Sequence, residues 1–361
     1  MNNRESASPL SRSESFAAKL GIRFPILLAP MAGACPPSLS ISVANAGGMG
    51  ACGALLMTPD SISAWADEFR QQSRGEFQIN LWIPGPPPAR DLDAEKRQRE
   101  FLASWGPPVS PEMGESFLPD FEEQCRAMIA ARPKAISSIM GIYAPEFVEE
   151  IKAHGILWFA TATTVAEARA AEAAGADAIV AQGMEAGGHR GAFEAKHAES
   201  QIVGLFALLP QISDAVSVPV VATGGIADGR GAAAALILGA SAVQIGTGFL
   251  RSPESKTHPA YAERIGRTEA HETRVTRAFT GRAGRSIRTR YVDAASSPGV
   301  PPAAPYPVQR GLTRPMREDA ARASDPERMQ MWAGQAARMA QAKPAAVITR
   351  QLWEDALRYL D

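Results

Sequence analysis

The feature that most constrains this chain is a rhythm. Between residues 24 and 248, eight short apolar runs alternate with helix-length segments, and each run ends in small residues. The runs fall at 24–29, 48–53, 77–82, 135–139, 156–160, 178–181, 218–222 and 242–245. Their length, β-branched content and flanking glycine or proline mark them as buried strands. Strands that alternate with helices lie parallel in one sheet. Eight such units in about 230 residues fit a (β/α)8 TIM barrel better than an open sheet.

Two stretches break the rhythm. Residues 83–120 hold a proline-rich turn, a charged helix over 91–104 and a second Pro/Gly stretch, which after the third strand reads as a lid. Residues 256–361 read as a mainly helical extension, with helices at 258–267, 314–322, 325–342 and 346–360 and an extended excursion at 296–307. Met329, Met331, Trp332 and Trp353 make this tail too apolar to be disordered, so it should pack on the barrel and close part of its mouth. The division is thus a barrel over 15–255, with the insertion at 83–120, and the extension. Residues 1–14, polar and serine-rich, read as disordered ahead of a short helical entry at 15–20.

Composition excludes several classes of function. The formal net charge is −1, with 37 basic and 38 acidic residues interspersed, so neither nucleic acid nor an anionic membrane is the expected partner. Cys35, Cys52 and Cys125 are odd in number and lack CxxC spacing, which argues against a disulfide framework and a structural zinc site. The N-terminus lacks the apolar core of a signal peptide, and no run of about 18 apolar residues occurs. The expectation is a cytoplasmic enzyme.

In a barrel of this kind the chemistry sits at the C-terminal ends of the strands, and phosphate commonly binds after strands 7 and 8. Those loops are Thr223-Gly224-Gly225 and Gly246-Thr247-Gly248, which offer backbone N–H groups next to a helix N-terminus for a phosphate dianion, although both can also be plain tight turns. Pro30, Met31, Asn80, Gln182, Gly187 and Gly188 line the same mouth as a flat, partly apolar slot with a few amides, suited to an isoalloxazine ring. His189, in the glycine-dense stretch 183–191, is a candidate acid/base group, with a solvated histidine on a mobile loop as the plain alternative. Glu185 can orient it or stand exposed. Gly48 to Gly53 matches GxGxxG but reads as a glycine-rich strand, because it follows a helix and lacks the acid a Rossmann site needs.

Several of these motifs together resemble the nitronate monooxygenases, formerly called 2-nitropropane dioxygenases. They are Leu-Ala-Pro-Met-Ala-Gly at 28–33, Asn-Leu-Trp at 80–82, the glycine stretch ending Gly-Gly-His-Arg-Gly at 191, Ala-Thr-Gly-Gly-Ile at 222–226 and Gln244-Ile-Gly-Thr247. The resemblance extends to Thr-Arg-Ala-Phe-Thr-Gly-Arg at 276–282 and Trp-Ala-Gly-Gln at 332–335. It implies FMN as cofactor, with Gln244 added to its binding residues, a nitronate and dioxygen as substrates, and a carbonyl compound and nitrite as products. It also implies that His189 is the base that takes the α-proton of a neutral nitroalkane, a step a nitronate anion does not need. No metal is implied, and a homodimer is left open. His154, His197, His258 and His271 are scattered, and the spacing from His189 to His197 is not a usual zinc spacing.

This chain departs from the family at 281–285, where the usual Gly-Arg-Pro-Ala-Arg reads Gly-Arg-Ala-Gly-Arg, and in its proline-rich 83–90 segment. Two other functions compete. One is an FMN-dependent reductase using NADH or NADPH on an enoyl thioester or quinone, for which Arg282, Arg285, Arg288 and Arg290 are the cations to hold the dinucleotide. The other is a non-catalytic barrel that binds FMN or a phosphorylated ligand.

Overall fold

The computed structural model describes residues 8–115 and 117–360. Its strands in chain order are β1 (Ile26–Leu28), β2 (Gly50–Gly53), β3 (Phe77–Trp82), β4 (Ala135–Ile139), β5 (Leu157–Ala162), β6 (Ala178–Gln182), β7 (Gly188–His189), β8 (Val220–Thr223), β9 (Ala242–Ile245), β10 (Thr273–Thr276) and β11 (Gly284–Ile287). Eight of them form a parallel sheet in the order β1-β9-β8-β6-β5-β4-β3-β2. A parallel bridge between Leu27 and Met49 joins the two ends. There Met49 N–H donates to Ile26 O at 3.0 Å and Leu28 N–H to Met49 O at 2.9 Å, so the sheet closes into a TIM barrel. Each of the eight expected runs is one of its strands, the GxGxxG segment included. Four of these strands, β1, β6, β8 and β9, are buried along their whole length and the other four at all but one residue, which is why they read as unbroken apolar runs.

The bottom of the barrel is plugged from outside. Leu27, Met49, Phe159, Val180 and the first residues of β4, β6 and β9 cluster with Phe16 and Leu20. These two lie on a helix, Pro9–Leu20, and the Phe16 ring sits 6.1 Å from that of Phe159. Burying each of them is worth about 1.5–3 kcal/mol. Disorder over 1–14 is therefore overturned from residue 8 onward, and residues 1–7 lie outside those described. Ser8 caps the helix, its Oγ accepting Ser11 N–H at 3.1 Å, and Pro9 takes the first turn, where its missing N–H costs nothing.

The insertion and the extension pack on each other beside the open, C-terminal end. Leu102 and Val109 of the insertion join Phe279, Tyr291, Val308, Leu312 and Met316 in a separate apolar core. Arg328 Nη1 donates to Trp105 O at 2.8 Å and pairs with Asp319, so the lid-like insertion is fixed in place.

The extension is not all helix. β10 and β11 form an antiparallel hairpin, and β11 pairs in turn with β7, which draws the glycine stretch into a three-stranded sheet. The helix expected over 325–342 is absent apart from a 3-10 turn, Ala337–Met339. The preceding residues instead run across the mouth as a strap. Ile287 N–H donates to Met331 O at 2.9 Å, Gly334 N–H to Thr247 Oγ1 at 3.0 Å and Gln335 N–H to Glu185 O at 2.9 Å. Pairing with these neighbours outweighs the helix propensity of an Ala/Met/Gln/Arg-rich stretch. The helix expected at the C-terminus is present as Ala345–Leu357. No helix among the described residues is long and apolar enough to cross a membrane.

Candidate active site

A cavity of about 550 Å³ opens at the C-terminal ends of the barrel strands, within the range of small-molecule sites. His189 and every residue expected to bind the cofactor lie on its wall, whereas Glu185, Arg282, Arg285, Arg288 and Arg290 do not. Strand ends supply Pro30, Met31, Asn80, Gln182, Thr223, Gly224, Gly225, Gln244, Gly246 and Thr247, and the stretch after β6 supplies Gly187, Gly188 and His189.

The amides are oriented by what they already bind. Asn80 Nδ2 donates to Ser137 O at 3.2 Å and Ser137 Oγ at 3.0 Å, so its Oδ1 is the atom free to accept. Gln244 Oε1 accepts Gln78 Nε2 at 2.9 Å, which leaves its amide N–H groups as donors. Gln182 differs: its Nε2 donates to His189 O at 3.1 Å and its Oε1 accepts Gly191 N–H at 2.8 Å. It shapes the loop that carries the histidine. Thr223 spends its proton on Gln244 O at 2.8 Å, whereas Thr247 accepts the strap's Gly334 N–H and keeps its own.

The two glycine loops differ from expectation in one respect. β8 leads to an α-helix, Gly229–Ile237, but its N-terminus is capped by Asp228, whose side chain accepts Gly231 N–H at 3.0 Å. β9 leads only to a 3-10 turn, Thr247–Phe249. An anion here must rely on loop N–H groups more than on helix dipoles. Gly224, at φ +115°, allows that approach, because a Cβ would sit 3.0 Å from Ala186 N.

His189 is held on all sides. Its Nε2 lies 2.8 Å from Thr280 Oγ1, and its ring lies 4.6 Å from that of Trp82, edge-on, and 4.7 Å from that of Trp332. Burial, and then the nearby charges of Arg282 and Arg310, push the imidazole pKa down to about 3, so the ring is neutral over the ordinary pH range. Glu185 does not orient it. Both oxygens of that carboxylate accept Leu205 N–H, at 2.9 and 3.0 Å, at the start of the next barrel helix.

Buried arginines stitch this loop to the extension. Arg190, 1% exposed, donates to Gly183 O at 2.8 Å. Arg285 donates to Met184 O at 2.9 Å and Arg282 to Ala192 O at 2.9 Å. The unusual Gly284 has a use as well: a Cβ there would stand 3.0 Å from the Trp332 ring.

Among the cavity residues that sequence reasoning did not assign to the site are Thr280, Tyr306, Arg310 and Arg317. All belong to the extension, more than 30 positions beyond the last barrel strand, and no spacing ties them to the strand ends. The Tyr306 hydroxyl is buried without a partner, and its ring lies 5.2 Å from Trp82. Arg317 donates to Arg310 O at 2.9 Å. Among the described residues neither Arg310 nor Arg317 forms an ion pair, so this wall presents positive charge to the cavity. Cys35, Cys52 and Cys125 are buried and unbridged.

The comparisons with known proteins agree with this geometry. A family model described as nitronate monooxygenase matches residues 13–355. A nitronate monooxygenase of Pseudomonas aeruginosa is 39% identical over 349 residues, covering 95% of this chain and 99% of the relative. A crystal structure of nitroalkane oxidase from Streptomyces ansochromogenes superposes with a TM-score of 0.87 at 34% identity, over 95% of this chain and 98% of that one. FabK from Thermotoga maritima superposes at 0.74 with 29% identity, covering 95% and 96%. The chain belongs to the nitronate monooxygenase family of flavoprotein oxidoreductases.

Proposed function

We propose that this chain is an FMN-dependent enzyme that oxidises nitronates with dioxygen to a carbonyl compound and nitrite. The observation that carries the reading is that His189 and two arginines without carboxylate partners among the described residues, Arg310 and Arg317, face the same cavity as the two glycine loops.

The residues present suit FMN. Gly224, Gly225, Gly246 and Thr247 would take its phosphate through backbone N–H groups and the free Thr247 proton. Asn80 Oδ1 and the Gln244 amide would meet the polar edge of its ring, while Pro30 and Met31 line one face and Gly187 and Gly188 leave room for it. When bound, FMN supplies the electron transfer from substrate to dioxygen.

The protein's own groups bind and orient. Arg310 and the Tyr306 hydroxyl offer donors to an anionic substrate, Arg317 adds its charge beside them while it holds the Arg310 carbonyl, and the Trp82 and Trp332 rings pack around His189. For a neutral nitroalkane, His189 accepts the α-proton. Its depressed pKa leaves that transfer little driving force, so a pre-formed nitronate is the better substrate.

The reductase alternative is disfavoured by where its cations lie. Arg282 and Arg285 are spent on backbone carbonyls, and Arg288 pairs with Asp293 at 2.7 Å. The purified protein is expected to be yellow and to release FMN on denaturation, identified by chromatography against FMN and FAD standards. Release of FAD, or a colourless protein unable to take up FMN, overturns the reading.

A further inference from the structure

We infer that Thr280 is a positioning residue that sets the tautomer of His189, keeping the proton on Nε2 and the lone pair on Nδ1. The inference rests on the reading of His189 as a base.

The backbone brings the two side chains together. β11 pairs with β7 so that Gly284 faces His189, and Arg190 N–H donates to Ala283 O at 2.9 Å. Arg282 reaches back to Ala192 O, which closes the turn holding Thr280 onto the same loop. Thr280 is itself buried, so its hydroxyl has no bulk water to exchange with.

Counting protons decides the tautomer. The hydroxyl owns one proton and stands near three groups: Arg282 O at 3.2 Å, Arg282 N–H at 3.4 Å and His189 Nε2 at 2.8 Å. If the proton goes to Arg282 O, the oxygen's lone pairs accept both Arg282 N–H and an Nε2–H, and all three contacts are satisfied. If it goes to Nε2 instead, Arg282 O loses that donor. The ring proton then moves to Nδ1, whereas the one hydrogen bond the ring makes among the described residues is at Nε2. A backbone carbonyl that loses its donor, with the ring N–H left to the cavity and no protein partner among those residues, is the costlier arrangement.

The tautomer has a chemical consequence. With Thr280 seated on Nε2, Nδ1 is the nitrogen left to the cavity. When it accepts the α-proton, the carbon's electron pair moves into the nitro group, giving a nitronate and an imidazolium. Thr280 accepts Nε2–H before and after the transfer, so nothing around the ring has to turn.

The test uses holoenzyme with ring-¹⁵N histidine, the His189 signals being those lost in His189→Asn. At neutral pH the wild type is expected to show the Nε2–H tautomer. Thr280→Val should shift the ring towards Nδ1–H, and Thr280→Ser should restore it. In parallel, kcat/KM for a neutral nitroalkane should fall roughly 10- to 100-fold in Thr280→Val, as for other partners that orient a histidine, and largely recover in Thr280→Ser. An Nδ1–H tautomer in the wild type, or in Thr280→Ser should Thr280→Val not fold, overturns the inference. So does an unchanged tautomer in a folded, flavin-loaded Thr280→Val. If the tautomer behaves as stated but His189→Asn leaves nitroalkane turnover intact, the base reading falls while the assignment to Thr280 stands.

Discussion

Replacing His189 with asparagine is expected to lower turnover of neutral nitroalkanes by roughly 10²- to 10⁴-fold, the range for loss of a positioned acid/base group. The variant should keep its FMN, because Thr280 is the one side chain hydrogen-bonded to the ring among the described residues and the packing rings of Trp82 and Trp332 are apolar neighbours that asparagine can still meet. Turnover of a pre-formed nitronate should fall far less, since its proton is already gone. In the wild type, the pKa near 3 removes this histidine from the neutral range, so kcat/KM for a nitroalkane should show no inflection near pH 6.5 from it. Such an inflection, lost in the asparagine variant, would mean that the ring is solvated. Equal losses on nitroalkane and nitronate would make His189 a binding group alone.

The other large effect is expected at Gly225. This residue has φ +71°, and a Cβ would lie 3.2 Å from that of Glu185. Gly225→Val places a β-branched side chain where the left-handed region is strongly disfavoured, a strain of about 1–3 kcal/mol. Relief by movement of the loop withdraws the N–H groups proposed for the phosphate. FMN affinity should weaken at least roughly tenfold, the equivalent of about 1.4 kcal/mol, measured by fluorescence titration of the apoprotein. Undiminished affinity in a folded variant would place the phosphate elsewhere.

The parts of this molecule that were legible in its sequence are those with local causes. Strands such as Ala178–Gln182 are buried from end to end and appear as continuous apolar runs. Once the barrel is recognised, the residues at the strand ends follow from its geometry, which is how Asn80, Gln182 and Thr223 could be placed on one cavity wall, while Gln244 came from the family resemblance. The N-terminal helix was obscured because its solvent face, with Ser11, Arg12 and Glu14, is as polar as a disordered leader. Only the Ser8-Pro9 cap pointed to it. The strap across the mouth has helical composition, and bonds to Thr247, Glu185 and Ile287, each distant in sequence, decide its shape. Tyr306, Arg310 and Arg317 reach the cavity from the extension, which packs on the insertion, and no single segment carries a signal for that; Thr280 lies in a quoted motif, but its place beside His189 comes from the pairing of β11 with β7.

The central claim concerns the source of the electrons. The cavity offers a small anion the Tyr306 hydroxyl and two guanidiniums without carboxylate partners among the described residues, whereas Arg282, Arg285 and Arg288, three of the four cations that could hold a dinucleotide, are engaged elsewhere. The direct measurement mixes the oxidised holoenzyme anaerobically with a nitronate, or with NADH or NADPH, and follows flavin absorbance by stopped flow. Nitronate is expected to bleach the flavin rapidly, and the nicotinamides slowly or not at all. Rapid bleaching by NADH or NADPH, with no response to nitronate, would contradict the account.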